Sequence, residues 1–542
     1  MPALWRGWSR LRRWSAVSAT GTASARAIAV WTAPANGAST AWPCGRSSSG
    51  CHETCPEHAA PSIRRRSGIS PFSVSFVPFA SWLRLSFGDR RSGDRLSGDR
   101  GRERRRMETT LHAGLRPAGR ADQVHLLFRD LLSIEACLVL FIFSGRFKSL
   151  PELQSFPVDA TLLFFALTFA LIVVRRITGH LKPLPMDAPD LLMLGFCALG
   201  IVSVFWSSLE PKNIDKTWRF ALVGMTGYFL VSILAQDPER RARMLRLIIG
   251  FSGLLLLYYS YHRWIVGVDI RELQFTGRIQ GNNYIEYATH ASYLFFACLP
   301  LAIYGPARLL LPAIGGAVAA LFALTLIGAR GPLVFSVLSI PVAAFALLLR
   351  PSWLGAGTRR LLLFMVVLVG TAWAGYIGLI AVKGFSGATE QLYTLERLSL
   401  QLSHESTNSL DVRSEGRELA FRRWLEKPLL GWGMGEFRLQ HSSDFPHNLA
   451  LEILMEMGLA GAVLFFPVLA MAVLACYRVA RSREADWVAA AIALMFFMEF
   501  LSHTTVQGYL AESRIYFAML ALVIGWQRTN PRWIGPDRVP SS

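Results

Sequence analysis

Between residues 126 and 526 the chain returns again and again to long apolar runs separated by short polar stretches. About 20 apolar residues, coiled at 1.5 Å per residue, cross the ~30 Å hydrocarbon core of a bilayer. In lipid the backbone polar groups must be satisfied within the segment, so such runs are helices. Twelve candidate spans follow, at 126–144, 159–174, 189–206, 219–235, 245–261, 286–304, 309–327, 332–349, 361–382, 447–475, 487–503 and 514–526. The expected fold class is an all-α polytopic membrane protein. Glu135 interrupts the first run, and the last is short. Composition agrees: only 17% of residues are charged, against about 25% in soluble domains.

The net charge of +19 is unevenly spread. Residues 1–106 hold 18 Arg, no Lys and 6 acids, and so supply +12 of it. This segment is rich in Ser, Gly and Pro, shows no helical or strand period and lacks the apolar stretch of a signal peptide. Two readings stand: translation starts at or near Met107, or 1–106 is a disordered basic tail on anionic lipid. Cys44, Cys51 and Cys55 fall in this segment, and their spacing with His52 and His58 fits no standard zinc site. The other cysteines, Cys137, Cys197, Cys298 and Cys476, lie in or at the ends of apolar runs, where a thiol packs as a small core residue.

The arginines orient the spans. Arg175 and Arg176, Arg240 to Arg243, Arg350 to Arg360, Arg478 to Arg483 and the tail 527–542 all fall on one side if the spans alternate. Both termini of the membrane region then lie inside. The domains expected are 107–382 with nine spans, a 64-residue outer loop at 383–446, three spans at 447–526 and the tail. The outer face also carries 262–285 and a tight turn at Gly328–Gly331. Within the long loop, residues 416–437 combine a helical pattern with a Gly-punctuated turn, GWGMG, that leads the chain back over the membrane.

Chemistry concentrates on that outer face. His447 follows Pro446 at the start of a span, with Ser443 or Asp444 near enough to cap the helix. The positive end of a helix favours a neutral imidazole able to take a proton; an interfacial capping histidine is the plainer reading. Asn448, Glu452 and Glu456 recur at intervals of four, so they share one stripe that must face protein or water. Interhelical hydrogen bonding explains that stripe equally well. Arg278 and Arg330 stand at outer boundaries, and Arg330 has no acidic neighbour in IGARGPL. A guanidinium so placed holds phosphate oxygens in pairs, or else snorkels to headgroups. In the loop, Arg413 and Arg417 repel at i,i+4 and Glu418 and Arg422 attract. Nucleotide, haem, iron–sulfur and metalloprotease patterns are absent from the sequence. No metal, cofactor or nucleic-acid partner is expected.

GRIQGNN (277–283), GARG (328–331), EGRELAFRRWLEKPLLGWGMGEF (415–437) and PHNLALEILMEMGLAG (446–461), in this order, resemble the O-antigen ligase and polymerase superfamily of membrane glycosyltransferases. The resemblance covers roughly 126–526. Ala329 departs from the family's usual Ser. The resemblance implies a GT-C-like helical fold in the bacterial inner membrane, with an active site facing the periplasm. It implies an undecaprenyl-diphosphate-linked glycan donor and an acceptor sugar on lipid A–core, or another saccharide. It assigns His447 as catalytic base and Arg278 and Arg330 as diphosphate ligands. Arg417, Asn448 and Glu452 take supporting roles. A ligase is the first expectation and a repeat-unit polymerase the second. A twelve-span transporter is the rival from another class, resting on Glu135, Glu286 and above all Glu499 within spans. Polar residues gathered on one face and the lack of a half-to-half repeat count against it.

Overall fold

The computed structural model describes residues 133–147, 158–184, 186–267, 283–392, 394–395, 398–399, 408–482, 486–511 and 513–529. Among these residues the chain is helical, with no strand. Among the described residues, nine helices are long and apolar enough to cross a membrane. Three more, at Ile134–Phe147, Asn283–Tyr304 and Arg514–Thr529, occupy the remaining predicted spans. The protein is an all-α, multi-pass membrane protein.

The membrane helices are α1 (Ile134–Phe147), α2 (Ala160–Ile177), α3 (Ala188–Val202), α4 (Pro211–Leu234), α5 (Pro238–Val266), α6 (Asn283–Tyr304), α7 (Leu310–Ile327), α8 (Arg330–Leu348) and α9 (Leu354–Gln391). The long loop contributes α10 (Asn408–Glu426), and α11 (Leu449–Arg481), α12 (Trp487–Thr505) and α13 (Arg514–Thr529) complete the set. Burial explains the weakest predicted span. All of Ile515–Trp526 is buried, as is all of 290–304 in α6. A helix enclosed by protein need not match the bilayer thickness, so α13 can be short. By contrast α2 and α9 are mostly exposed, as lipid-facing edges require.

One face is held together by the predicted inner arginines, which cap helix C-termini where the backbone carbonyls concentrate negative charge. Arg350, after α8, donates to the carbonyls of Val479 and Ala480 at the end of α11. Arg360 donates to Ile303 and Gly305 after α6, and Arg241 to Ala235 and Gly525 at the ends of α4 and α13. Arg528 pairs with Asp187 and Asp190. Glu135, expected to interrupt a span, sits buried in the first turn of α1 and pairs with Arg240 and Arg243 at 3.0 and 3.3 Å. These contacts join the helix ends that alternation puts on one side. The opposite ends of α8 and α11 carry Arg330 and His447.

Several helices run beyond their predicted bounds, α4 and α5 among them, and two of the differences bear on the loop side. Helix α9 continues through a break at Gly384 to Gln391, past the predicted end at 382. Helix α11, predicted at 447–475, begins at Leu449, runs to Arg481 and breaks at Gly458, where φ is 63° and ψ is −160°. The break frees backbone groups that lipid could not satisfy. The Gly-rich turn of the long loop fills them. Trp432 and Gly433 donate to the carbonyls of Met455 and Glu456 at 2.8 and 2.9 Å, and Leu459 and Ala460 donate to Pro428 and Leu429 at 2.8 and 3.0 Å. The turn expected at GWGMG is therefore threaded into a split helix. A Cβ on Gly458 would stand 2.4 Å from the Leu429 backbone. Gly458→Ala should cost at least ~2 kcal/mol from the strained φ and the clash together. A lower melting temperature and a smaller monodisperse fraction in detergent check this.

Candidate active site

Four segments meet at the start of α11. The first is the approach to the helix. Asn448, rather than Ser443 or Asp444, is its N-cap, because its side-chain oxygen accepts from Leu451 N–H at 3.0 Å. Its amide donates to the Thr504 carbonyl at the end of α12, 2.6 Å away. Ser443 instead donates to the Phe445 carbonyl, and Asp444 pairs with Arg438. His447 lies just outside the helix at φ 54°, a left-handed conformation that non-glycine residues rarely adopt and that costs about 1–3 kcal/mol. Strain of this kind persists only where the surroundings hold it.

Those surroundings fix the half-buried imidazole. Its Nε2 lies 3.3 Å from Ser443 Oγ, and the backbone of Val506 is close enough to favour the protonated ring. The Phe445 ring stands 4.4 Å away. Ser443 has one hydroxyl proton, and the Phe445 carbonyl, at 3.0 Å, takes it. Toward the ring Ser443 Oγ is then an acceptor for Nε2–H, and the neutral imidazole keeps one ring lone pair able to accept a proton. Burial pushes the imidazole pKa down, and Arg413, Arg417 and His441 push it the same way; the Val506 backbone opposes them, and the result is about 4. The ring is neutral at physiological pH.

The second segment is α10, which packs on α11. Arg417 Nε donates to the Arg413 carbonyl at 3.2 Å, so the two cations on this helix turn lie beside the imidazole. The attractive pair expected further along is present, with Arg422 and Glu418 at 3.6 Å on the exposed side.

The third segment is the α7–α8 turn. Gly328 closes α7 at φ 94°, Ala329 is the N-cap of α8, and Arg330 is the first helical residue. Ala329 makes no side-chain cap bond, which is where the family's usual Ser would place a hydroxyl. Thr394, from the region after α9, accepts from Gly328 N–H and donates to the Leu324 carbonyl, both at 2.7 Å. A Cβ on Gly331 would stand 3.9 Å from Val506 Cγ1. Val506 therefore separates the two predicted residues: its side chain borders the Arg330 turn and its backbone holds His447.

The fourth segment, the α12–α13 connection, was not anticipated, and neither was Lys216. Glu452 and Glu456 do not line an open site. Both bind Lys216 Nζ, at 2.6 and 2.7 Å, with all three side chains fully buried. The stripe does face protein, as its charge demanded. Asn213, Lys216 and Thr217 are buried on one face of α4, and that i, i+3, i+4 polar pattern at a span start was the available signal. Arg278 lies outside the described residues. Glu499 is taken up inside the bundle, accepting from Tyr293 OH at 2.8 Å and facing His503 Nδ1 at 3.3 Å. Among the described residues no three His, Cys, Asp or Glu form a group that could hold a metal ion.

Residues 315–466 match the O-antigen ligase family. The match supports membership of the O-antigen ligase and polymerase superfamily. That match spans the Arg330 turn, α10, the Gly-rich turn, His447 and the broken helix. A comparison with curated proteins finds no match. That family implies a membrane glycosyltransferase-like enzyme with polysaccharide or lipid-linked glycan substrates in general.

Proposed function

We propose that the protein transfers a glycan from undecaprenyl diphosphate to a sugar hydroxyl of lipid A–core, at the periplasmic face of the bacterial inner membrane. The observation that carries this reading is the meeting of His447 and the Arg330 turn at Val506, at the helix ends opposite the arginine-capped face. The neutral imidazole of His447 takes the acceptor hydroxyl proton. The acceptor oxygen bonds to the anomeric carbon as the bond from that carbon to the diphosphate oxygen breaks. The electron pair leaves with undecaprenyl diphosphate. Arg330, with Arg278, meets the charge growing on that leaving group. Preorganised donors supply ~3–4 kcal/mol each in such sites, and a positioned base ~10²–10⁴-fold. Arg417 and Arg413 draw the anionic donor toward the imidazole, and Asn448 anchors the residue after the base.

Guanidinium groups do the work of a divalent cation in this mechanism. The purified protein should therefore transfer a lipid-linked glycan equally well with and without chelator. A strict metal requirement would contradict the mechanism. A deletion strain separates the acceptors: unsubstituted core with accumulated polymer marks a ligase, and core bearing a single repeat marks the polymerase.

A further inference from the structure

The family match contains His447 and Glu452 but neither Lys216 nor residues 506–510. Those outlying residues touch the start of α11 at successive points. The Val506 backbone holds the His447 ring. Gly508 lies so close that a Cβ there would stand 2.5 Å from Leu449 N and 2.8 Å from the Asn448 carbonyl carbon. The Tyr509 ring stacks on Phe445 at 5.1 Å, and Phe445 in turn lies against His447. Leu510 N–H donates to Glu452 Oε2 at 3.1 Å. The other oxygen of Glu452 accepts from Lys216, whose ammonium also lies 5.3 Å from the centre of the Tyr509 ring.

We propose that Glu452, fixed by Lys216, positions His447 through the strap 506–510, so that this strap sets the direction of the imidazole ring. The proposal rests on His447 as the reacting base. Glu452 and Lys216 are positioning residues: both are buried and act through Leu510 and its neighbours. A displacement of about 1 Å in a reacting group can cost ~10²-fold, so a strap that holds a strained histidine has direct leverage on turnover.

The two carboxylates provide a matched comparison. Glu452 uses both oxygens as acceptors, one for Lys216 and one for Leu510 N–H. Glutamine has a single acceptor oxygen, so at 452 its NH₂ would face either the ammonium or the Leu510 N–H, donor against donor. Glu456 uses only Oε1, toward Lys216; its Oε2 has no hydrogen-bond partner among the described residues. Glutamine at 456 keeps that one bond. Both substitutions remove one formal negative charge from the same triad, so only the Leu510 contact distinguishes them.

The test uses the full-length protein in lipid nanodiscs with a lipid-linked glycan donor. Glu452→Gln should lower kcat roughly 30-fold with KM within about twofold, and Glu456→Gln should stay within about threefold of the parent. Gly508→Ala reaches the strap without touching the charges and should behave like Glu452→Gln. A second readout is independent of turnover: the rate at which diethyl pyrocarbonate modifies His447, followed by peptide mass spectrometry. That rate should change severalfold in Glu452→Gln and Gly508→Ala and match the parent in Glu456→Gln. Equal behaviour of the two glutamine variants, or a loss confined to KM, overturns the proposal. If the parent transfers nothing yet the modification pattern holds, the glycosyltransfer reading fails and the positioning stands. If transfer proceeds but modification is the same in every variant, the positioning fails alone.

Discussion

His447→Ala will leave the protein in the membrane at its normal level and abolish glycan transfer. The side chain is half-buried at the edge of α11, and the helix cap belongs to Asn448, so its loss leaves the fold intact. The loss of a positioned base alone predicts ~10²–10⁴-fold. The pH dependence tests the same assignment. Neutral imidazole is the active form, so activity is retained above the pKa and falls as pH drops through it. In the free enzyme burial and the neighbouring arginines hold that pKa at about 4, well below the ordinary histidine value near 6.5. The acid limb of kcat/KM, which reports the free enzyme, should lie near 4. A bound diphosphate brings negative charge beside the ring and counters Arg413 and Arg417, so the acid limb of kcat should lie higher. Arg413→Gln removes a cation that lowers the pKa and should move the kcat/KM limb upward. A fully active alanine variant removes His447 as the base. An acid limb near 6.5 in kcat/KM would show that the imidazole lacks its cationic, desolvated surroundings.

The sequence reached much of this arrangement because its strongest constraints are local. Apolar length gave the spans, and arginine placement gave the shared face that Arg350, Arg360 and Arg241 hold together. Two acids four residues apart in a span required protein or water, not lipid, beside them. Their partner was hidden by distance along the chain: Lys216 lies 236 residues before Glu452, and no local pattern names a partner that far away. The break at Gly458 was hidden for a related reason. MEMGLAGAVLFF reads as continuous apolar helix, and only the backbone groups of the loop at 428–433 make a gap there tolerable. The helix start was misplaced by two residues because Pro446 suggests an earlier start, while the side chain of Asn448 satisfies the Leu451 N–H that the helix leaves open. The strap at 506–510 carries no charge and no motif; its role is legible only from what it touches.

Arg330→Lys is the second large effect expected, and it isolates geometry from charge. Arg330 opens α8, where the first N–H groups have no partner within the helix and the helix dipole favours an anion. Ala329 supplies no side-chain oxygen to these groups, and Pro332, the third helical residue, has no N–H to offer. The turn is also held from two sides, by Thr394 on Gly328 and by Val506 against Gly331. A guanidinium on so fixed a base can hold two diphosphate oxygens at once, whereas an ammonium of equal charge is a single point. Lysine should therefore lower kcat/KM by ~10² or more, the range seen when one preorganised donor is removed. Arg330→Ala, which removes charge as well as fork, should be worse still. Because lysine keeps the charge, the difference between the two variants measures the electrostatic share alone. The free lipid diphosphate, used as a product inhibitor, should lose affinity in the same order. Parent-like turnover and inhibition in the lysine variant would assign Arg330 to anchoring the turn, and the leaving group would then need another cation on this face.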